Sequence, residues 1–237
     1  MIMDEFRDEG GIDTATSTNE SYDSADFYTN STTAGTSATE FEDDDGNTGH
    51  TATANGDATS DASVKQFGAS SAVLDGDGDY FSVPDSNDWQ LGSGGADFTI
   101  DLWARASNTT EMSLFGHNEN ADNYFTMNIR SDRFEVRLTT SGTEEVVLHT
   151  NVGSDWTNTW VHFALVGSSG TMTVYQDGIA MSEKASQDSS YGTWANFTAI
   201  FGVGISTPSP AAAFIGNIDE FRISNTARWT SNFTPPT

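Results

Sequence analysis

DFTIDLWAR, residues 97–105, is the stretch on which the fold turns. Phe98, Ile100 and Leu102 fall on one side of an extended chain and Thr99, Asp101 and Trp103 on the other, because successive side chains of a strand point to opposite faces. The same period of two recurs in RFEVRL (133–138), where Phe134, Val136 and Leu138 oppose Arg133, Glu135 and Arg137. It recurs again in TWVHFALV (159–166), where Val161, Phe163 and Leu165 oppose Trp160, His162 and Ala164. Around these lie SAVLD, YFSV, MSLFG, YFTMNIR, EVVLH, TMTVYQ, AIFGV and IDEFRI, short runs rich in aromatic and β-branched residues and divided by Gly, Asn, Asp and Ser. Regular spacing of such runs predicts an all-β, antiparallel two-sheet sandwich. In YQDGIAM (175–181), Asp177-Gly178 separates two apolar runs and predicts a two-residue hairpin. No window of useful length has helical period.

Composition agrees with one large β domain plus an appendage. The chain has 237 residues, with 15 Phe and 6 Trp to fill a core and 22 Gly for turns. Its charge is lopsided: 35 Asp+Glu against 9 Lys+Arg, a net −26. Such a surface repels phosphate backbones, so nucleic acid and anionic membrane are poor partners. A saline setting would screen the self-repulsion. With no cysteine, disulfides, thiol catalysis and zinc–thiolate sites are excluded. No apolar run reaches the ~20 residues that span a bilayer, and the acidic start MIMDEF lacks the pattern of a signal peptide. The expectation is a protein without membrane insertion or an export address of its own.

Residues 1–45 differ from the rest: aromatics are scattered singly among Thr, Ser, Asp and Glu, without aliphatic periodicity. Such a segment cannot close a core alone. It is predicted to be an acidic, polar arm that lies on its own sandwich or on a neighbouring subunit, with the domain proper spanning 46–237. An arm of this length suits exchange between subunits, and a homo-oligomer is expected.

Six stretches, in order, resemble one family: GHTATANGDA (49–58), KQFGASSAVLDGDGDYFSVPDSNDW (65–89), DFTIDLWAR (97–105), TWVHFALV (159–166), TVYQDGI (173–179) and FIGNIDEFRISNTARWTSNFTPPT (214–237). Together they resemble the laminin-G-like, concanavalin-A-like jelly-roll family. The closing segment most resembles versions in tailed-bacteriophage virion proteins and in secreted bacterial proteins. The resemblance implies two curved antiparallel sheets of about twelve to fourteen strands, with the first and last strands near each other. It also implies a module that binds glycans or protein surfaces, in some members with a structural calcium ion.

LDGDGDYFSVPDS (74–86) carries Asp75, Asp77 and Asp79 at alternate positions between glycines. Calcium takes six to eight oxygen ligands, and an EF-hand loop opens in this way. The rest departs from an EF-hand, with Tyr80 at the sixth position and Ser86 at the twelfth. The plainer reading is a tight turn in which Gly76 and Gly78 supply positive φ and the aspartates face water. Through the family resemblance, Asp219 in GNIDEF matches the last long strand, where related domains hold calcium. One structural Ca²⁺ bound by Asp219 with Asp75, Asp77 and Asp79 is therefore the metal expectation. A second acidic cluster, EFEDDDGNTGH (40–50), reads as a linker.

Catalytic signatures are missing. RFEVR (133–137) is similar to the Arg-x-Glu-x-Arg strand of certain alginate lyases, but the Gln-x-His those enzymes need is absent and the only lysines are Lys65 and Lys184. It reads as a half-exposed strand with a solvated charged face. Retaining glycoside hydrolysis needs two carboxyl groups ~5 Å apart, and Asp219 and Glu220 alternate along one strand. His50, His117, His149 and His162 have no His two or four residues away to seed a zinc site. No Gly-x-Ser-x-Gly elbow occurs. The chain is expected not to be an enzyme.

Sugars commonly rest their apolar C–H face on a flat ring. Trp103, which alternates away from the core face, and Tyr191 and Trp194, in the loop-like SSYGTWANF (189–197), are the ring candidates. The functional expectation is a virion structural or adhesion protein of a tailed phage, located on the particle surface. Its jelly roll would contact host-surface glycan, and residues 1–45 would dock on other capsid or tail proteins. The alternatives are a bacterial carbohydrate-binding module or glycan-active enzyme, and a capsid-cementing protein without a ligand.

Overall fold

The computed structural model describes residues 3–6, 38–43, 51–67, 70–108, 110–130, 133–151, 156–181, 191, 197, 201–205 and 213–236. Their strands are β1 (Met3–Phe6), β2 (Ala38–Asp43), β3 (Thr51–Asn55), β4 (Thr59–Asp61), β5 (Ser71–Asp75), β6 (Tyr80–Val83), β7 (Phe98–Ala106) and β8 (Met112–Asn120). They continue with β9 (Asn123–Arg130), β10 (Arg133–Thr140), β11 (Thr143–Asn151), β12 (Val161–Ser168), β13 (Thr171–Gln176), β14 (Ile179–Ala180), β15 (Phe201–Val203) and β16 (Ile215–Ser224). The only helical segments among the described residues are single 3₁₀ turns at Asn87–Trp89 and Ser93–Gly95.

The strands form two antiparallel sheets, as the period of two predicted. One has nine strands in the order β1-β2-β3-β6-β15-β8-β9-β10-β11; the other has seven, β14-β13-β12-β7-β16-β5-β4. Without β1 and β2, which belong to the arm, each sheet has seven. The two described arm strands lie on the chain's own sandwich: β2 pairs with β3 through Ala38↔Thr53, and β1 pairs with β2. β1 also runs near β16, so the first and last strands are neighbours.

The core lies between the sheets. Phe81, Phe98, Phe125, Phe134 and Phe163 are fully buried, each worth about 1.5–3 kcal/mol relative to exposure. Phe134 of β10 stacks on Phe163 of β12 at 5.0 Å, and Phe115 of β8 on Phe221 of β16 at 5.7 Å. These contacts join the two layers.

Turn chemistry sets the hairpins. Ser141-Gly142, Ser169-Gly170 and Asp177-Gly178 all have positive φ at both residues, as a two-residue loop matched to right-handed strand twist requires. A Cβ on Gly178 would collide with the Phe233 carbonyl oxygen, so this hairpin also seats the C-terminal tail.

The outward face of the seven-stranded sheet is not solvated, contrary to simple alternation. Asp101 and Trp103 are buried. After β16 the chain turns back across this face. Trp229 and Phe233 stack at 3.9 Å and pack edge-on against His162, and Phe233 also meets Tyr175. Phe67 covers Trp103 edge-on at 5.7 Å.

Candidate functional site

Among the described residues, three groups of polar side chains outside the apolar core stand out, and each has its own chemistry. The first is at the turn between β5 and β6. Gly76 and Gly78 do adopt positive φ, but the aspartates do not all face water. Asp79 is buried, and its two oxygens accept from the backbone N–H of Asp57 at 2.8 Å and of Asp75 at 3.0 Å. It thereby clamps the β3–β4 turn to the β5–β6 turn. Burial raises its pKa, and the nearby Asp75 charge adds to the effect. Asp75 and Asp77 are exposed, with Asp75 accepting from the Asp77 N–H at 2.7 Å.

Of the four aspartates expected to hold calcium, the fold brings Asp75 and Asp79 together with Asp57. One carboxylate oxygen each from Asp57, Asp75 and Asp79 lie within 4.8 Å of one another. Asp57 was not foreseen: it is 22 residues from Asp79, and only tertiary pairing brings it there. Asp219 does not join them. Its strand neighbour is Trp103, whereas Asp75 pairs with Ile215. Its carboxylate accepts from the backbone N–H of Gln66, Phe67 and Glu220, at 2.8, 3.2 and 3.0 Å. Asp219 pins the segment before β5 over the sheet, beside a bulge where Glu220 has φ 51.

The second group is the buried centre of the tail-covered face. Arg222 grips Asp101 with two bonds of 2.9 Å, and His162 Nε2 lies 3.2 Å from the same carboxylate. Burial alone would raise the Asp101 pKa; the Arg222 charge and the His162 hydrogen bond overcome it and hold the carboxyl well below the usual range. His162 is fully buried, and Arg222 also lies under the Trp229 ring at 5.7 Å. The hint in the sequence was an Asp amid apolar neighbours in FTIDLWA.

The third group is on the outer face of the nine-stranded sheet. Glu135 on β10 is fully buried, correcting the expected solvated strand. One of its oxygens accepts from Arg130 at 3.1 Å and Arg137 at 2.8 Å, and the other faces Arg133 at 3.3 Å. Arg130 also meets Glu111 at 2.7 Å, and Arg137 meets Glu144 at 3.2 Å. Burial disfavours the Arg137 charge, but Glu135 more than compensates and raises its pKa.

Two of the three aromatic candidates, Trp103 and Tyr191, are covered. Trp103 is 8 % exposed and wedged between Phe67 and His162. Tyr191 is buried, packs edge-on against Phe98 and donates its hydroxyl proton to the Ala96 carbonyl at 3.0 Å. Neither ring presents a face on which a sugar could stack. Trp194 lies outside the described residues. Tyr124, at the edge of the third group, is half-buried.

Residues 75–231 match the family described as the Concanavalin A-like lectin/glucanases superfamily. No curated protein matches the sequence. Among solved structures, domain 4 of the arabinanase AbnA from Geobacillus stearothermophilus, solved with arabinotriose, is similar at 22 % identity and TM-score 0.55, over 78 % of this chain and 86 % of that one. The receptor-binding domain of botulinum neurotoxin C/D mosaic serotype is similar at 16 % identity and TM-score 0.57, over 80 % of this chain and 46 % of that one. The binding domain of serotype D aligns at 14 % identity with the same TM-score, 0.57. The chain spans less than half the length of the toxin domains, and these likenesses show the fold.

Proposed function

This chain belongs to the concanavalin A-like lectin/glucanases superfamily, and on that premise we propose that it is a non-catalytic adhesion module. It binds glycan and serves as a structural protein of a tailed-phage particle. The observation that carries the non-catalytic part is how three of the buried carboxylates are used. Asp101 is held by Arg222, Glu135 by three arginines, and Asp219 by three backbone amides. General acid–base work needs a carboxyl group aimed at a substrate atom, and these three are already engaged by protein groups. Glycan binding is supported by the superfamily and by the arabinanase domain solved with arabinotriose. The phage setting is supported by the resemblance of residues 214–237 to virion versions of the fold, and by the polar arm.

The test has two parts. Full-length protein on a glycan array is expected to give hits without depolymerising any of them; released reducing ends would overturn the reading. A chain lacking residues 1–45 is expected to stay folded and fail to join particles, and normal incorporation would remove the anchoring role. The likeness to the arabinanase domain favours a second reading, a carbohydrate-binding module of a bacterial enzyme. Binding of neutral arabinan with no particle association would select it.

A structural calcium ion, where the family implies one, would be held by Asp57, Asp75 and Asp79. Three carboxylates are too few for its usual shell, and carbonyls or water would complete it. Calcium at this turn is expected to raise the melting temperature and the Asp57→Asn variant to lose that response. An identical transition in calcium and in excess chelator would discard the ion.

A further inference from the structure

We propose that Arg130, Arg133 and Arg137, on the outer face of the nine-stranded sheet, form a binding site for carboxylate-bearing glycans, with Tyr124 at its rim. The proposal rests on the glycan-binding reading above and narrows it to a ligand class and a place.

Basic residues are scarce, 9 against 35 acidic, yet three of them converge on two adjacent strands. Arg130 and Arg133 stand directly opposite each other across β9 and β10, a placement that costs stability in an ordinary strand pair. Glu135 sits among the three and is fully buried, while the arginine side chains remain 27, 30 and 33 % exposed. One carboxylate thus fixes three guanidinium groups from beneath and leaves part of each open to solvent. Each guanidinium carries about five N–H donors in a rigid fork that matches a carboxylate. Holding such forks in place beforehand lowers the ordering cost of binding.

The outer partners are replaceable. Glu111 and Glu144 are 47 and 36 % exposed, and exposed ion pairs are worth only about 0–1 kcal/mol. Ligand carboxylates can take their places and keep the local charge balanced. Tyr124, half-buried on β9, offers part of a ring for a sugar C–H face. A net charge of −26 rules out general attraction for polyanions, so any retention must be local.

The test is calorimetry on the full chain at about 0.15 M salt, where charges are screened beyond about 8 Å. The probes are polygalacturonate, its methyl ester, dextran sulfate, and neutral arabinan. Polygalacturonate is expected to bind, with at least tenfold weaker binding in Arg133→Gln and in Arg137→Gln and no change in Arg105→Gln, which lies in the other sheet. Should a variant fail to fold, the ester provides the check: masking the carboxyl groups is expected to abolish binding to the wild type. Full affinity in the folded variants, or for the ester, would overturn the site. Equal affinity for dextran sulfate would overturn the carboxylate assignment. Binding of arabinan alone would overturn this site and leave the wider glycan reading standing. Binding of no probe together with a blank glycan array would overturn both.

Discussion

Asp101 shows how much one side chain can depend on its partners. A carboxylate with no solvent contact is tolerable only when paired, and Arg222 meets it with two bonds. Removing one partner of such a pair typically costs about 3–5 kcal/mol. Arg222→Met is therefore expected to lower the urea midpoint by a corresponding amount. A change under about 1 kcal/mol would mean that His162 suffices. The pH dependence follows from the depressed Asp101 pKa. The unfolded carboxyl titrates near 3.9, so the pair's stabilisation is complete above that value and is lost as the pH falls toward the folded pKa. The gap in stability between wild type and Arg222→Met should narrow on acidification; a gap independent of pH would count against the ion pair as its source.

At the scale of elements, the hairpin between β13 and β14 and the C-terminal tail act as one unit. The Phe233 N–H donates to the Gly178 carbonyl, and the Ala180 N–H to the Asn232 side chain. Gly178→Ala combines a positive φ of 75 with a collision against the Phe233 carbonyl. It is expected to cost about 1–3 kcal/mol from backbone strain alone and to expose residues 225–236 to protease. A variant with wild-type proteolysis would show that the tail holds without the hairpin. The tail matters because it seals the face that strand alternation had offered as a binding surface. The β5–β6 turn teaches a related lesson: its glycines were legible as a turn, but the role of Asp79 depends on an N–H at Asp57, in a different turn.

For the whole molecule, charge is the dominant general property. Thirty-five acidic against nine basic residues means self-repulsion in the compact state, which added monovalent salt screens. The melting temperature is expected to rise from low salt to about 0.5 M sodium chloride in the Asp57→Asn variant as well as in the wild type, separating screening from specific calcium binding. A flat response would show that the negative charges are too dispersed to matter. The pairing of β2 with β3 bears on the arm as well. Its loss would turn β3 into an open edge, and exposed edges promote association.

The sequence by itself determined the strands from β5 onward, the hairpin at Asp177-Gly178, the core-facing residues of β7, β10 and β12, and the superfamily, but not β1 to β4. These depend on a period of two and on turn residues, both of which are local. Tertiary structure alone decided which outward-facing side chains stay outside. Trp103 and His162 are covered because a tail more than sixty residues further along and the Phe67 segment fold across them; Glu135 is covered because arginines from two strands close over it. Alternation assigns a side chain to a face, but whether that face meets water depends on chain segments far away in sequence, and local pattern carries no record of them.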